Sequence, residues 1–521
     1  MPPLARPRTV LLAAALAGTL LAAGACSSGA GSGGAPEQDP TLRIAGPFEV
    51  HSLDPTADGE VFTRLQVTET LVTSDLRGEL VPGLATAWES SPDHTRWRFQ
   101  LVQGATFHDG TALTAESVVS ALEKVAAETA SPLADVPIAR IVPEGSAVVF
   151  ELAHPTLTLP AVLTHYSTAV LAPAAYDDSG EVTEVLGTGP YQVQDVELPA
   201  SIETTRFEGW RGKAPAVAGV DFQAVGRAES RALMAVSDQA DVVFGLEPAG
   251  RQRVEASGTA RMESSLQPRT ILLKVNAAHP VLGDVRVRRA LSLALDREAM
   301  ADAVLREREL AATQLLPPSL QAWHADVQPL TRDQDQARAL LAQAGFAPGA
   351  DGVLQRDGQA LRLDLLTYPD RPELPALATA IQAALAEVGV GVQVEVTNSS
   401  EIPAGQGDGS LELALIAKHF ALVSDPLVDV ATVFAPEGAD WGVMGWRDPA
   451  VDAAIAELLA GADGAQAQQA RETVVRTAQE QLPLIPVAWY RMNAAVGERV
   501  EGFVMDPLET TWRISDLRWA E

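Results

Sequence analysis

Side chains able to ligate, attack or shuttle protons are sparse and scattered in this chain. The eight histidines are His51, His94, His108, His154, His165, His279, His324 and His419. No two of them have the i, i+3 or i+4 spacing that would aim both at one metal from a helical face. Cys26 is the sole cysteine, so zinc and iron–sulfur sites built on several thiolates are excluded and no disulfide can form within the chain. Gly209-Trp210-Arg211-Gly212-Lys213-Ala214 has two residues between its glycines, not four, and lacks the Ser or Thr after the lysine that a phosphate-cradling loop needs. Gly187-Thr188-Gly189-Pro190-Tyr191-Gln192 departs from the dinucleotide fingerprint at its last position, and Pro190 would spoil the helix start that a pyrophosphate requires. No Gly-x-Ser-x-Gly elbow is present to expose a serine nucleophile. With 68 acidic residues, carboxylates that are close in sequence read as solvated surface. These absences point to a binding protein with no catalytic residues, no cofactor and no metal held by protein side chains alone.

The N-terminus bears on where such a protein works. Arg6 and Arg8 precede an apolar run from Val10 to Leu21 that ends in Ala22-Ala23-Gly24-Ala25-Cys26. The run is shorter than the ~20 residues a membrane span needs and stops at small residues, as a secretory signal over residues 1–25 would. Its end resembles the lipobox of bacterial lipoproteins, in which such a cysteine is lipidated after cleavage, although Ala23 stands where leucine is more usual. Residues 26–40 then form a Gly/Ser-rich leash with a typical reach of roughly 20 Å. Loss of Arg6 and Arg8 with the signal takes the formal charge from −30 to −32. So acidic a surface argues against nucleic acid and anionic lipid as partners, leaving the lipid as the only tie to the extracytoplasmic face of the membrane.

The rest of the chain must supply the elements that position a binding site. Leu42 and Ile44, then Trp97, Phe99 and Leu101, then Val148, Phe150 and Leu152, alternate as half-buried strands. Thr114 caps a helix that carries Val118, Leu122 and Val125 on one face. The clearest unit is a strand at Leu361, Leu363 and Leu365, a helix through Leu377, Ile381 and Leu385 that stops at Gly389, and a second strand from Val390 to Val396. Two strands joined by such a helix make a parallel βαβ unit. Asp284, Asp333 and Asp448 open three further amphipathic helices. The stripes on all of these helices read as core packing.

Segments spread over the chain then point one way. They are His51-Ser52-Leu53-Asp54-Pro55, Pro82 through Glu89, Trp97 through Gly110 with Thr114-Ala115-Glu116, Gly187 through Tyr191, Trp210-Arg211-Gly212-Lys213, and Asn276 with Asp284 through Leu291 and Asp296-Arg297. In this order they resemble family 5 of the bacterial extracellular solute-binding proteins, the peptide, nickel and opine group. The resemblance implies an α/β, two-lobed periplasmic-binding-protein-like fold of cluster II, with an extra subdomain in lobe I, closing about a hinge. The expected division is lobe I at 41–272, lobe II at 273–487 and a return to lobe I at 488–521. The implied function is the substrate-binding component of an ABC importer, a monomer that captures a peptide or small metal-chelate and passes it to permease and ATPase subunits. The alternative is a lipid-anchored sensor or docking protein on the same fold.

Ligand residues are expected beyond the strands ending near Leu366 and Ala417, because open α/β sheets bind ligands past the carboxyl ends of their strands. That rule selects Tyr368, Arg371, His419, Phe420 and Trp441. Arg371 offers a fixed positive charge to a carboxylate. The competing reading pairs Arg371 with Glu373 or confines Pro372 and Glu373 to opening a helix. The resemblance fits neither ligand model in full. The arginine that nickel-chelate binders place before an Ala-Pro pair is missing ahead of Ala172-Pro173, and Leu422 stands where oligopeptide binders carry an aspartate.

Overall fold

The computed structural model describes residues 41–129, 131–349, 351–369, 371, 373–435 and 441–520. The expected signal, Cys26 and the leash lie outside them. After β1 (Thr41–Gly46) the chain builds a separate antiparallel sheet from β2 (Ala85–Ser90), β3 (Arg96–Leu101), β4 (Ile138–Glu144) and β5 (Ala147–Leu152), ordered β2-β3-β5-β4. The alternation in β3 turns Trp97, Phe99 and Leu101 into a core shared with Val148 and Phe150. Helix α1 (Ala115–Ala127) lies over this core with Val118 and Leu122 fully buried. Its start is fixed by a capping box in which the Ser117 N–H donates to Thr114 Oγ1 at 3.2 Å.

Nine further strands are β6 (Tyr191–Glu197), β7 (Ser201–Arg206), β8 (Gly219–Ala224), β9 (Val242–Phe244), β10 (Ala260–Val275), β11 (Arg362–Thr367), β12 (Gly391–Val396), β13 (Leu413–His419) and β14 (Leu484–Gly497). With β1 they form one ten-stranded mixed sheet ordered β12-β11-β13-β10-β14-β9-β1-β8-β7-β6. The helices that matter below are α2 (Pro248–Ser257), α3 (Val285–Ala294), α4 (Gln334–Gln343), α5 (Glu373–Ala386) and α6 (Pro449–Leu459). Asp284, Asp333 and Asp448 each accept a backbone N–H from the first turn of α3, α4 and α6, as N-cap aspartates do. β11, α5 and β12 make the parallel βαβ unit, with Arg362 opposite Gly391 and Thr367 opposite Val396.

Separate cores explain how one sheet serves two bodies. Leu42, Phe222 and Phe244 pack with Met492, Trp512 and Ile514, so the C-terminal segment returns to the N-terminal core. Ile271, Leu291, Leu365, Ile381, Leu415 and Ile485 belong to a second core. The two long strands β10 and β14 connect the bodies, pairing antiparallel from Ala260 opposite Gly497 to Lys274 opposite Leu484. Their register breaks in the middle, where Gln267, Pro268 and Arg269 stand against Tyr490 alone. Such a break bends and twists the ladder and re-aims side chains.

The Gly187-Thr188-Gly189-Pro190 segment is explained by close approach. A Cβ on Gly189 would lie 2.0 Å from the Gln66 carbonyl oxygen, and one on Gly187 would lie 2.2 Å from that of Val67. Only glycine admits backbone at that distance. Among the described residues no helix is long and apolar enough to cross a membrane.

Candidate functional site

The seam between the two bodies encloses a cavity of ≈ 290 Å³. The strand ends deliver its walls. Phe48 follows β1, Glu247 follows β9, and Arg371 and Glu373 follow β11, all beyond carboxyl ends, while Tyr490 comes from the broken register of β14. This is the position at which α/β sheets leave room for a ligand.

Arg371 donates from Nη1 to the Tyr490 hydroxyl at 3.0 Å, and its guanidinium lies 5.0 Å from the Tyr490 ring centroid. On the same ring, the Arg269 guanidinium stands 5.7 Å from the centroid. A phenol flanked by two guanidiniums is held by cation–π attraction as well as the hydrogen bond. Burial disfavours the Arg371 charge, but the Tyr490 oxygen and the carboxylates of Glu509 and Glu373 outweigh that and keep it ionised. Burial also pushes the Tyr490 phenol up to about 12. Among the described residues no ion pair joins Arg371 to Glu373. Glu373 Oε1 is sealed from solvent and lacks a hydrogen-bond partner. Burial raises its pKa, and Arg371 works against that rise.

A second polar cluster lies beside Tyr490. Arg269 Nη2 donates to Glu509 Oε2 at 2.9 Å, and Arg64 Nη2 stands 3.6 Å from the same oxygen. Burial opposes the Glu509 charge, yet Arg269 and Arg64 prevail and hold the carboxyl down at about 2. His419, in register with Arg269, accepts the Ala421 N–H at Nδ1 over 3.0 Å. Its proton therefore sits on Nε2, which is buried and unpartnered. Burial, first, and the charge of Arg269, second, keep the ring neutral by lowering its pKa well below the usual range. Gln267 is fully buried with both amide atoms lacking a partner. Orphaned polar atoms are uncommon in folded proteins, and several of them gather at this seam.

The five residues selected from sequence fall in two groups. Arg371 lines the cavity and His419 belongs to the adjacent cluster. Tyr368, Phe420 and Trp441 pack on the core of the second body. Phe420 is wholly buried, Tyr368 accepts the Ala417 N–H at 3.2 Å, and Trp441 meets the Tyr368 ring edge-on at 6.1 Å. Sequence reasoning did not select Tyr490, Glu247, Arg269 or Glu509. Tyr490 and Arg269 sit in long strands whose pairing break has no sequence mark. Glu373 was weighed only as a partner for Arg371 or a helix opener.

A third ion group frames the cavity. Glu307, from the second body, contacts Arg251 of α2 and stands 2.6 Å from Arg491 Nε on β14. It ties both bodies to the connecting strand at the cavity rim. Among the described residues no group of three or more His, Cys, Asp or Glu side chains could hold a metal ion.

Comparison with known proteins agrees with this architecture. The family described as "Bacterial extracellular solute-binding proteins, family 5 Middle" matches residues 79–439. The chain is 25% identical over 512 residues to the nickel-binding periplasmic protein of Escherichia coli (strain K12), covering 94% of this chain and 96% of that one. It is also 25% identical over 471 residues to the dipeptide-binding protein of the same organism, covering 82% and 84% respectively. The crystal structure of NikA from Brucella suis in complex with Fe(III)-EDTA superposes with a TM-score of 0.84 at 23% identity, covering 92% of this chain and all of that one. The fold is thus that of the two-lobed periplasmic binding proteins, with the sheet halves and their cores as the lobes. The cavity, the connecting strands and the family match converge: the chain belongs to the bacterial extracellular solute-binding proteins of family 5, the non-enzymatic, extracytoplasmic substrate-binding components of ABC importers.

Proposed function

We propose that this protein captures a small carboxylate-bearing ligand, a peptide or a metal-chelate, between its lobes and hands it to the permease. The observation that carries this reading is the charged guanidinium of Arg371 in a ≈ 290 Å³ cavity at the ends of strands from both lobes. A volume near the lower end for ligand pockets favours a small solute. Both ligand classes have relatives: one is named for nickel, another for dipeptides, and the NikA of Brucella suis was crystallised with Fe(III)-EDTA. A metal would arrive with donors of its own, since the described side chains offer no three-ligand group. In this reading Arg371 takes the carboxylate, the His419 Nε2–H donates to a ligand oxygen, and Tyr368, Phe420 and Trp441 fix the strand ends behind them. The lobes divide at 41–272 with 488–521, and 273–487, and the protein works as a monomer.

Native mass spectrometry of the purified protein identifies what co-purifies. Calorimetry of that compound against Arg371→Ala and His419→Ala is then expected to show binding weaker by about 2–5 kcal/mol, the loss typical of a buried charge-assisted contact. Unchanged affinity in both variants would remove these residues from the site. Anchoring through Cys26 is tested separately: Cys26→Ser is expected to release the protein into the medium, and retention in the membrane fraction would overturn the lipid anchor.

A further inference from the structure

The C-terminal return does more than complete the core of lobe I. Phe503, Met505, Trp512, Ile514 and Leu517 pack into that core, but Leu508, only 8% exposed, leaves them and packs on the core of lobe II. The loop that carries it is braced from within. The buried carboxylate of Asp506 accepts the N–H groups of Leu508 at 2.9 Å, Thr510 at 2.9 Å and Thr511 at 3.1 Å, and the Thr510 hydroxyl at 2.7 Å. Its base is tied to lobe I through Arg64, which donates from Nε to the Glu509 carbonyl at 2.8 Å and accepts the Trp512 N–H on its own carbonyl at 3.2 Å. Between base and tip, Glu509 adopts φ +60°, a left-handed conformation that disfavours a residue with a Cβ. Its carboxylate reaches Arg269 on the connecting strand β10. Backbone strain of this kind persists only where the surroundings fix it, and here Arg64, Arg269 and the seat of Leu508 do so. That seat lies at the seam. A Cβ on Gly78, in a turn of lobe I, would stand 3.6 Å from Leu508 Cδ1 and 3.7 Å from the Ser424 carbonyl oxygen of lobe II. Ser424 in turn donates its N–H and its hydroxyl to Thr164 Oγ1 of lobe I, each at 3.2 Å.

We infer that residues 506–511 form a strap that holds the lobes together, with Leu508 as the plug it seats in lobe II. The strands β10 and β14 join the lobes covalently and stay joined whether the lobes are closed or parted. The strap is a tie that has to release. A loop braced by Asp506 and tied to Arg64 travels with lobe I, so parting the lobes at this seam draws the Leu508 side chain out of lobe II and into water. A side chain buried across a moving boundary favours the closed arrangement by its differential burial, and so sets the closed population. The strap stands whichever ligand the protein takes, and its failure would leave the solute-binding reading untouched.

The test measures the separation of the lobes in the mature protein, dialysed free of co-purified solute. Cys26 is the sole cysteine, so a Cys26→Ser background leaves the chain open to two chosen labels. Spin labels at Leu233→Cys in lobe I and Val396→Cys in lobe II, both exposed positions, report one distance by pulsed electron paramagnetic resonance. Leu508→Ala is expected to lower the ratio of closed to open molecules by at least about 10-fold, since truncating a buried leucine removes most of its burial energy. Leu508→Val is expected to shift the ratio the same way by less, and it keeps the test alive should the alanine variant misfold. Met505→Ala, three residues earlier on the core of lobe I, is expected to lower the urea midpoint yet leave the ratio within about 2-fold. Folded Leu508 variants with wild-type separations would overturn the strap. So would a shift in Met505→Ala as large as that in Leu508→Ala, because general loosening would then explain both. A parent protein, with Leu508 intact, that shows only the wide separation would overturn it without any change in the loop.

Discussion

Two buried ionic clusters in this molecule use the same side chains and treat them in opposite ways. In lobe I, Asp241 is completely enclosed, and its carboxylate accepts the Arg43 N–H at 2.8 Å, Arg43 Nε at 3.1 Å, Arg43 Nη2 at 2.8 Å, and Arg499 Nε and Nη2 at 2.6 and 2.7 Å. At the lobe seam, Glu373, His419, Gln267 and Glu509 each keep a buried atom without a partner. In the first cluster burial raises the Asp241 pKa, but Arg499 and Arg43 more than reverse it. In the second, burial of Glu373 prevails over Arg371, while Glu509 is held down by Arg269 and Arg64. A charge buried for architecture is saturated with donors, because an unpaired one costs several kcal/mol. At the seam, the Glu373 carboxylate keeps one oxygen short of a partner. Position explains the difference: Asp241 stitches β1 to the C-terminal return, whereas Glu373 belongs to the wall of the cavity at the lobe seam.

The sharpest way to break this contrast is Asp241→Ala. It would leave two arginines aimed at one another inside lobe I, and unfolding by urea is expected to show a loss of about 3–5 kcal/mol. A loss below about 1 kcal/mol would mean that the saturated cluster is no more structural than the open one.

Next comes pH. His165 belongs to the architectural side: its Nδ1 lies 2.8 Å from Ser167 Oγ, which in turn lies 2.8 Å from Ser131 Oγ. Burial lowers its pKa to about 4 from the ordinary 6.5. The unfolded chain takes up a proton below pH 6.5 and the folded chain does not until pH 4, so this contribution is whole above 6.5. It is lost as the pH falls toward 4, by up to about 3 kcal/mol. Unfolding free energies measured at pH 7, 5.5 and 4.5 are expected to fall in that order, and His165→Gln is expected to flatten the slope. A slope unchanged in the variant would place the acid sensitivity elsewhere.

The contrast also separates what sequence discloses from what it conceals. Local patterns carried most of the fold. Trp97, Phe99 and Leu101 alternated into a core, Thr114 and Asp333 capped helices where their spacing required, and the run from Leu361 to Val396 folded as a parallel βαβ unit. Arg371 was legible because a strand end is a local feature. Tyr490 and Glu247 were not, since they meet across separations of more than a hundred residues, and the register break that turns Gln267 and Arg269 toward Tyr490 depends on pairing that neither strand encodes alone. Glu373 was in plain view, but the unpartnered state of its Oε1 is a property of the tertiary packing around it. The two glycines at 187 and 189 were legible as a departure from the dinucleotide fingerprint and as a segment of the family resemblance, but the Gln66 and Val67 carbonyls that require them were not.

The smallest effect gives the finest test, and it concerns stability in the absence of ligand. Glu373→Gln removes a negative charge from the first turn of α5, which forfeits about 0.3–1 kcal/mol of favourable interaction with the helix N-terminus and, in addition, its attraction to Arg371. The same change relieves the desolvation of a carboxylate that lacks a full set of partners and lifts its repulsion with Glu247, which pulls the other way. These terms nearly cancel, so the urea midpoint of the ligand-free protein is expected to move by no more than about 1 kcal/mol, in either direction. Asp241→Ala, by contrast, removes an acceptor that five donors depend on. If Glu373→Gln cost about 3 kcal/mol or more, Glu373 would be a structural counterpart of Asp241. Its orphaned oxygen would then mark an architectural contact completed by buried water, and the division between saturated and open clusters would have to be redrawn at Arg371.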